Sequence, residues 1–323
     1  MQAAVVNSYD APPVYASFAD PVALEGEIPV TVTAAALHPI VRARASGNHY
    51  SSDGVLPFVP GVDGAGRLAD GTRVYFGGAR SPYGTFAERG IAPNWMCIPL
   101  PDGLDDATAA GIANPAMSGW VALTGRAKFV AGESVLVLGA TGVAGQLAVQ
   151  VAKRLGARRV IAAGRNAEAL AKLPALGAAA VISLEQTPDA LVAALREEIA
   201  ESGVDVVLDY LWGNPAEAVI KALTQKGGRK ASRVRYVEIG TSAGSAISLD
   251  GTALRSSGLE LLGSGFGSAS MEQIRDAVAE LFKAAATKPF EFRIRKAPLS
   301  EIVSLWGEKE QGTRLVFEPQ AIG

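Results

Sequence analysis

The chain has 323 residues, about half of them hydrophobic and a fifth charged. That length suggests about two domains at roughly 150 residues each, and the composition is ordinary for a soluble globular protein. Its 30 basic and 32 acidic residues nearly cancel without a block of either sign, so neither a nucleic acid nor a membrane surface is indicated as a partner. One cysteine, Cys97, excludes an intrachain disulfide and a cysteine-rich metal site, and its apolar surroundings (Trp95-Met96-Cys97-Ile98-Pro99-Leu100) mark it as packing.

Met1–Asp10 has no basic segment followed by an apolar run, so no signal peptide is expected and the address is read as cytoplasmic. The first third reads as β-rich. Ile28–Ala36, Gly61–Leu68, Thr72–Phe76 and Gly84–Ile91 are short apolar segments bounded by Gly, Pro and Asp, and Asp70-Gly71 is a turn signal. Two helices, Asp105–Ala113 and Ala116–Lys128, follow. A regular alternation then begins: strand Ser134–Leu138, helix Val143–Leu155, strand Arg159–Ala163, helix Ala167–Leu173, strand Ala179–Ser183, helix Asp189–Ala200, strand Asp205–Leu208, helix Pro215–Leu223, and strands Val234–Ile239 and Leu259–Leu262. Such alternation predicts a parallel sheet covered on both faces. Met271–Ala286 reads as a helix, and the tail is mixed at Phe290–Ile294, Leu299–Leu305 and Arg314–Phe317. The predicted division is 1–115 for the first part of a β-rich domain, 116–268 for the α/β domain, and 269–323 for the return. The uncharged stretch Ser134–Ala152 approaches the length of a membrane span, but Gly139, Gly142, Gly145, Gln146 and Gln150 mark it as a buried strand, a loop and a helix.

The loop inside that stretch carries the chemistry. Gly139, Ala140, Thr141, Gly142, Val143, Ala144 and Gly145 follow a buried strand and open an apolar helix. A tight turn at Gly139, a bare backbone at Gly142 for a pyrophosphate, and close helix–strand packing at Gly145 are what a dinucleotide needs, with the helix N-terminus offering N–H groups to the anion. Twenty residues on, where an NAD site places a carboxylate for the ribose 2′-OH, stands Arg165 between Gly164 and Asn166. A guanidinium there suits a 2′-phosphate, so NADP(H) is the expected cofactor. Lys172 is a weaker candidate for that phosphate.

The order of motifs resembles the medium-chain dehydrogenase/reductase superfamily, and within it the zinc-independent quinone oxidoreductase branch (zeta-crystallin-like). The resemblance rests on His38-Pro39 through Gly47 and Tyr50, on the run Phe58 to Gly66, on Gly71-Thr72-Arg73-Val74, on Tyr83-Gly84-Thr85-Phe86-Ala87-Glu88, on the loop Gly139–Gly145, and on Gly263-Ser264-Gly265-Phe266-Gly267. It implies an α/β fold in which a Rossmann doubly wound parallel sheet is inserted in a GroES-like β-rich catalytic domain. It further implies that Gly240, Thr241, Gly265, Phe266 and Gly267 complete the cofactor site, and that the chain is a homodimer joined near Leu259–Gly263. Zinc-dependent relatives place ligands where this chain has His38, Val62–Asp63 and Asn114; Val62 cannot bind metal, so no metal is expected, and His38 is read as a hydrogen-bonded loop residue. The chain departs from the branch at Leu37 or His38, where an Asn is usual, and in the short Leu68–Asp70 connection.

The implied reaction is hydride transfer from NADPH to a small-molecule substrate, a quinone or α,β-unsaturated carbonyl. Tyr50 is the candidate proton donor or substrate hydrogen-bond donor, with aromatic packing as its competing role. His49 is read as exposed, Asn114 and Met117 as lining the substrate site, Trp120 as core, Asp209, which ends a strand, as a loop carboxylate near the cofactor, and Glu238 as a satisfied strand residue. An NADP(H) sensor without turnover and an NADP-dependent alcohol dehydrogenase or carbonyl reductase are the alternatives.

Overall fold

The alternating runs near the start of the chain form strands β1 (Gln2–Val5), β2 (Val14–Ser17) and β3 (Glu27–Ala36), helix α1 (Pro39–Ala45), and strands β4 (Asp63–Arg67), β5 (Arg73–Gly77), β6 (Arg89–Pro93) and β7 (Ile98–Pro99). Helix α2 (Asp106–Val121) leads into β8 (Ser134–Leu138), α3 (Val143–Arg154), β9 (Arg159–Gly164), α4 (Ala167–Leu176), β10 (Ala180–Ser183), α5 (Pro188–Ser202), β11 (Val206–Asp209), α6 (Gly213–Thr224), β12 (Arg233–Glu238), α7 (Gly251–Arg255) and β13 (Gly258–Gly263). Helix α8 (Met271–Thr287), β14 (Arg293–Pro298), α9 (Ile302–Leu305) and β15 (Thr313–Glu318) follow. The computed structural model describes residues 1–224, 233–309 and 312–319. It divides into two units: Met1–Asn114 with Val278–Pro289 and Arg293–Gly323, and Pro115–Ala277 with Phe290–Phe292. Among the described residues no helix is long and apolar enough to cross a membrane.

The second unit is the Rossmann fold. Its six strands run in the order β10-β9-β8-β11-β12-β13, and every pairing is parallel. Parallel strands covered on both faces need apolar side chains on both faces, and β8 is buried along its whole length. Leu136, Leu138, Ile161, Leu195, Val207 and Tyr236 form the heart of one layer, each aliphatic side chain there contributing roughly 1.5–3 kcal/mol by burial. The strand order reverses between β8 and β11, which is where an open α/β sheet opens its ligand crevice. One charge is buried in β12: Arg235, 3% exposed. Its guanidinium pairs with Glu133 at 2.6 Å and donates to the carbonyl oxygens of Ala127 and Asp205.

The first unit draws strands from both ends of the chain. Its sheet runs β14-β15-β3-β4-β5-β7, with β6 also paired to β3. The β14–β15 pair is parallel, and the rest of the sheet is antiparallel. The core gathers Leu37, Val41, Phe86, Leu299, Ile302 and Phe317, with the Phe86 and Phe317 rings edge to face at 5.5 Å.

Three local readings change. The two helices placed around Pro115 are one, α2, which continues through the proline into a π-helical turn at Ala122–Arg126. The proline removes one helical hydrogen bond, but Ala109, Ala110, Ile112, Ala113 and Ala116 are all fully buried, and that packing outweighs the loss. The strand expected over Gly84–Ile91 begins only at Arg89, because residues 84–87 are pinned elsewhere: a Cβ on Gly84 would lie 2.2 Å from the Val59 carbonyl oxygen, and Phe86 N–H donates to Pro60. Leu299–Leu305 is a 3-10 turn running into α9.

Candidate functional site

The glycine loop follows β8 and does what its residue types demand. Gly139 has φ +91°, a left-handed conformation that favours glycine, and its N–H and that of Ala140 both donate to the Ala163 carbonyl of β9. A Cβ on Gly145 would fall 2.3 Å from the Gly139 carbonyl oxygen and 2.6 Å from Ala140 Cα, so only glycine lets α3 pack this close to the turn. Gly142 differs: it is exposed, and a Cβ there would have only the Gly139 oxygen nearby, at 3.7 Å. Gly142 is also the N-cap of α3, and no side chain caps that end. The first turn of a helix carries N–H groups without intrahelical partners and a partial positive charge. The loop thus presents bare backbone and unspent donors to an open space, the surface a pyrophosphate requires. Ala140 and Val143 are buried and offer only backbone to that space, while Thr141 packs its side chain over Gly164, where a Cβ would lie 2.4 Å from the threonine methyl.

The end of β9 supplies a charge. Arg165 is exposed, and among the described residues no carboxylate pairs with it. Its neighbour Asn166 is the N-cap of α4, with its side-chain oxygen accepting from Ala169 N–H at 2.8 Å. Lys172, the weaker phosphate candidate, is ion-paired to Glu168. Arg165 is therefore the cation at this strand end that is not already committed. Gly240 and Thr241 follow β12, and Gly265, Phe266 and Gly267 follow β13, all five on the same C-terminal edge of the sheet as Gly139 and Gly164. Phe266 is 39% exposed, and Gly265 N–H donates to Ser268 Oγ to shape the turn.

Asp209 ends strand β11, as the sequence places it, but it is fully buried rather than a loop carboxylate. Its Oδ1 accepts from Leu211 N–H at 2.7 Å and Trp212 N–H at 3.0 Å, and its Oδ2 accepts the Tyr236 hydroxyl at 2.6 Å. Trp212 has φ +56°, rare for a bulky residue, so the carboxylate holds a strained turn in place. Burial pushes the Asp209 carboxyl pKa up against these hydrogen bonds, which pull it down. Glu238 sits opposite in register at the end of β12, half-buried, and its carboxyl is raised by burial and then by the Asp209 charge. Tyr210 is the group that the sequence did not reveal: its hydroxyl lies 3.1 Å from Ser118 Oγ, and burial raises its pKa.

The remaining candidates belong to the β-rich unit and to α2. Tyr50 is 72% exposed, with its ring 4.2 Å from that of His49. His49 is half-buried rather than exposed, because Nδ1 is held by Ser51 Oγ at 2.7 Å; burial, then the Arg44 charge, lowers its pKa. Asn114 and Met117 lie three residues apart on α2, the first half-buried and the second 9% exposed. Trp120 is half-buried. His38 stands in the short connection between β3 and α1, as the N-cap position of α1, and is fully buried; its Nε2 is 3.2 Å from Asp63 Oδ1 but without hydrogen-bond geometry, so the expected hydrogen bond is not made. Asp63 accepts the Tyr75 hydroxyl at 2.8 Å. One imidazole and one carboxylate beside Val62 do not make a zinc site, which takes three or four protein ligands. Among the described residues no three His, Cys, Asp or Glu side chains gather as metal ligands. Cys97 is half-buried, and burial pushes its thiol up to about 11, away from the reactive thiolate.

Comparison with known proteins gives a consistent set. The family model described as zinc-binding dehydrogenase matches residues 143–283. A probable NADPH-dependent quinone reductase of Emericella nidulans is 28% identical over 357 residues, covering 99% of this chain and 100% of that protein. An NADPH-dependent alkenal/one oxidoreductase of Arabidopsis thaliana chloroplasts is 31% identical over 186 residues, covering 51% of this chain and 48% of that protein. Among solved structures, the quinone oxidoreductase from Thermus thermophilus, also solved as its complex with NADPH, superposes with a TM-score of 0.77 at 27% identity, covering 98% of this chain and 100% of that one.

Proposed function

The chain belongs to the medium-chain dehydrogenase/reductase superfamily, in its quinone oxidoreductase branch, and we propose that it reduces a quinone or an α,β-unsaturated carbonyl with NADPH, without zinc. The observation that carries this reading is the C-terminal edge of the parallel sheet. There Gly142 faces open space below an uncapped helix N-terminus, and the uncommitted Arg165 stands at the end of the neighbouring strand. Bound NADPH supplies the hydride. Backbone N–H groups at the start of α3 hold the pyrophosphate, and Arg165 holds the 2′-phosphate. Gly164, Asn166, Gly240 and Thr241 border the cofactor, and Gly265, Phe266 and Gly267 border its nicotinamide end. The Tyr50 hydroxyl donates a proton or hydrogen bond to the substrate oxygen, and Asn114 and Met117 contact the substrate. Reduction of a conjugated C=C or a quinone needs no Lewis acid when a proton donor is at hand, which suits a His38–Asp63 pair that cannot complete a zinc sphere. Two copies pair through the outer edge of β13, the last strand of its sheet, where Leu261 is 36% exposed.

The test is NADPH oxidation by metal-stripped protein against a panel of quinones, enones, aldehydes and ketones. Turnover of quinones or enones without metal is the expected result. Binding of NADPH with no turnover across the panel would move the reading to a cofactor-sensing protein, and turnover that returns only with added zinc would refute the metal-free reaction.

A further inference from the structure

Tyr210 is the first residue past β11, at the point where the strand order of the parallel sheet reverses. Its N–H donates to the Leu138 carbonyl of β8 at 3.1 Å, and its carbonyl accepts the Ser242 hydroxyl, from the loop after β12, at 2.9 Å. The residue is thus tied to both strands that flank β11. Two glycines make room for its side chain. A Cβ on Gly139 would lie 3.2 Å from Tyr210 Cβ, and one on Gly119 of α2 would lie 3.2 Å from the Tyr210 hydroxyl oxygen. The side chain therefore runs from the end of β11, past the glycine loop, to α2.

The hydroxyl ends beside Ser118, and the hydrogens of the pair can be assigned. Ser118 donates its one hydroxyl hydrogen to the Pro115 carbonyl at 2.7 Å. The contact at 3.1 Å therefore runs from the Tyr210 hydroxyl to Ser118 Oγ. Burial raises the Tyr210 pKa, which keeps that hydrogen on the phenol. With both hydrogens spent, the Tyr210 oxygen is left as an acceptor, and among the described residues no donor uses it. Both side chains are only half-buried. A dinucleotide lies across the crevice at the reversal point, its pyrophosphate at the helix N-terminus and its adenosine ribose at the end of the second strand, here β9. Its other half then reaches the far side of the crevice, which β11 borders. The hydrogen-bond donors on that half are the ribose hydroxyls and the carboxamide N–H groups. We propose that the Tyr210 hydroxyl oxygen accepts a hydrogen bond from one of these donors, making Tyr210 a binding residue for the nicotinamide–ribose half of the cofactor. This rests on the NADPH reading and adds a contact on the half that the glycine loop and Arg165 do not hold.

Calorimetric titration of the full chain and of Tyr210→Phe tests it, with three probes: NADP+, its acetylpyridine analogue, and adenosine 2′,5′-bisphosphate. The analogue carries a methyl ketone in place of the carboxamide and so lacks that N–H donor. The bisphosphate is the adenosine half alone. Tyr210→Phe should weaken NADP+ binding about three- to tenfold, the range of one hydrogen bond, and leave the bisphosphate unchanged. An analogue that binds wild type and variant alike identifies the carboxamide as the donor. An analogue weakened as much as NADP+ identifies a ribose hydroxyl. Unchanged NADP+ affinity in Tyr210→Phe would overturn the proposal and leave the cofactor reading standing. Equal loss of NADP+ and the bisphosphate would also overturn it, because the side chain would then act through packing alone. A wild type that binds neither would overturn both.

Discussion

Gly142 and Gly145 stand three residues apart in one loop with opposite surroundings, open at one and crowded at the other, and a pair of alanine substitutions separates the tasks proposed for them. At Gly145 the added methyl meets backbone at 2.3, 2.6 and 2.8 Å, and no side chain can move aside to relieve it. Overpacking of this kind costs about 1–3 kcal/mol, which for a unit of this size lowers the midpoint of thermal unfolding by about 2–4 °C per kcal/mol. At Gly142 the methyl meets only one oxygen, at ordinary contact distance, and φ is −78°, a value alanine adopts without strain. The gain of about 0.4–1 kcal/mol from a stiffer unfolded chain is offset by alanine's poor standing as an N-cap, so stability should stay within about 0.5 kcal/mol of wild type. The same methyl does occupy the space in which the pyrophosphate would lie. A clash of about 1–3 kcal/mol there weakens NADPH binding roughly 5- to 150-fold. Thermal unfolding of the ligand-free protein and a fluorescence titration with NADPH read the two effects separately. Wild-type NADPH affinity in Gly142→Ala would refute the assignment of this loop to the phosphates. An unchanged unfolding midpoint in Gly145→Ala would refute the packing argument.

Arg165→Asp should weaken NADPH binding by one to two orders of magnitude, given about 1.5–3 kcal/mol for hydrogen bonds to charged groups, and should leave NADH within about twofold; equal loss of both would remove the 2′-phosphate from Arg165. Tyr50→Phe should lower turnover several-fold without changing NADPH affinity, and unchanged turnover on a good substrate would take Tyr50 out of the reaction. Asp209→Ala strands three donors, Leu211 N–H, Trp212 N–H and the Tyr236 hydroxyl, at about 1–3 kcal/mol for each buried group, so chemical denaturation should show a loss of several kcal/mol. Burial raises the Asp209 carboxyl above its unfolded value. The stability this protonation gives is therefore full below the unfolded pKa and is lost as pH rises through the folded one. Asp209→Asn removes that titration while keeping an acceptor for the turn, so its unfolding midpoint should fall less than the wild type's between about pH 4 and pH 7; an identical fall in both would show that Asp209 carries none of the dependence.

The α/β half was legible because its physics is local. Strand β8 lies where the sequence places it, since a run of apolar residues ended by Gly139 leaves little else to form. Counting from the loop to the next strand end places Arg165 just past β9, which is where it stands. What escaped depends on distant residues. Asp209 reads as one carboxylate at a strand end until Tyr236, 27 positions on, is seen to donate to it. Helix α2 reads as two because a proline's local penalty is visible and the burial that overrides it is not. His38 reads as a loop residue beside a proline and is one, but its full burial opposite Asp63 depends on a strand 25 positions on and is not visible locally.

The pairing of β15 with β3, through Val316 with Ala36 and Phe317 with Ala35, bears on the order of synthesis. All six strands of the parallel sheet are contained between Ser134 and Gly263 and can find their partners as soon as that stretch has left the ribosome. Strand β3 pairs with β4 and β6 early, but the partner of its C-terminal end, Ala35 and Ala36, is not made until Thr313–Glu318 exists. Through most of translation the nascent β-rich unit therefore keeps the C-terminal end of its central strand unpaired on one side, open to chaperones or to a neighbouring nascent chain, while the nucleotide-binding unit can already be complete.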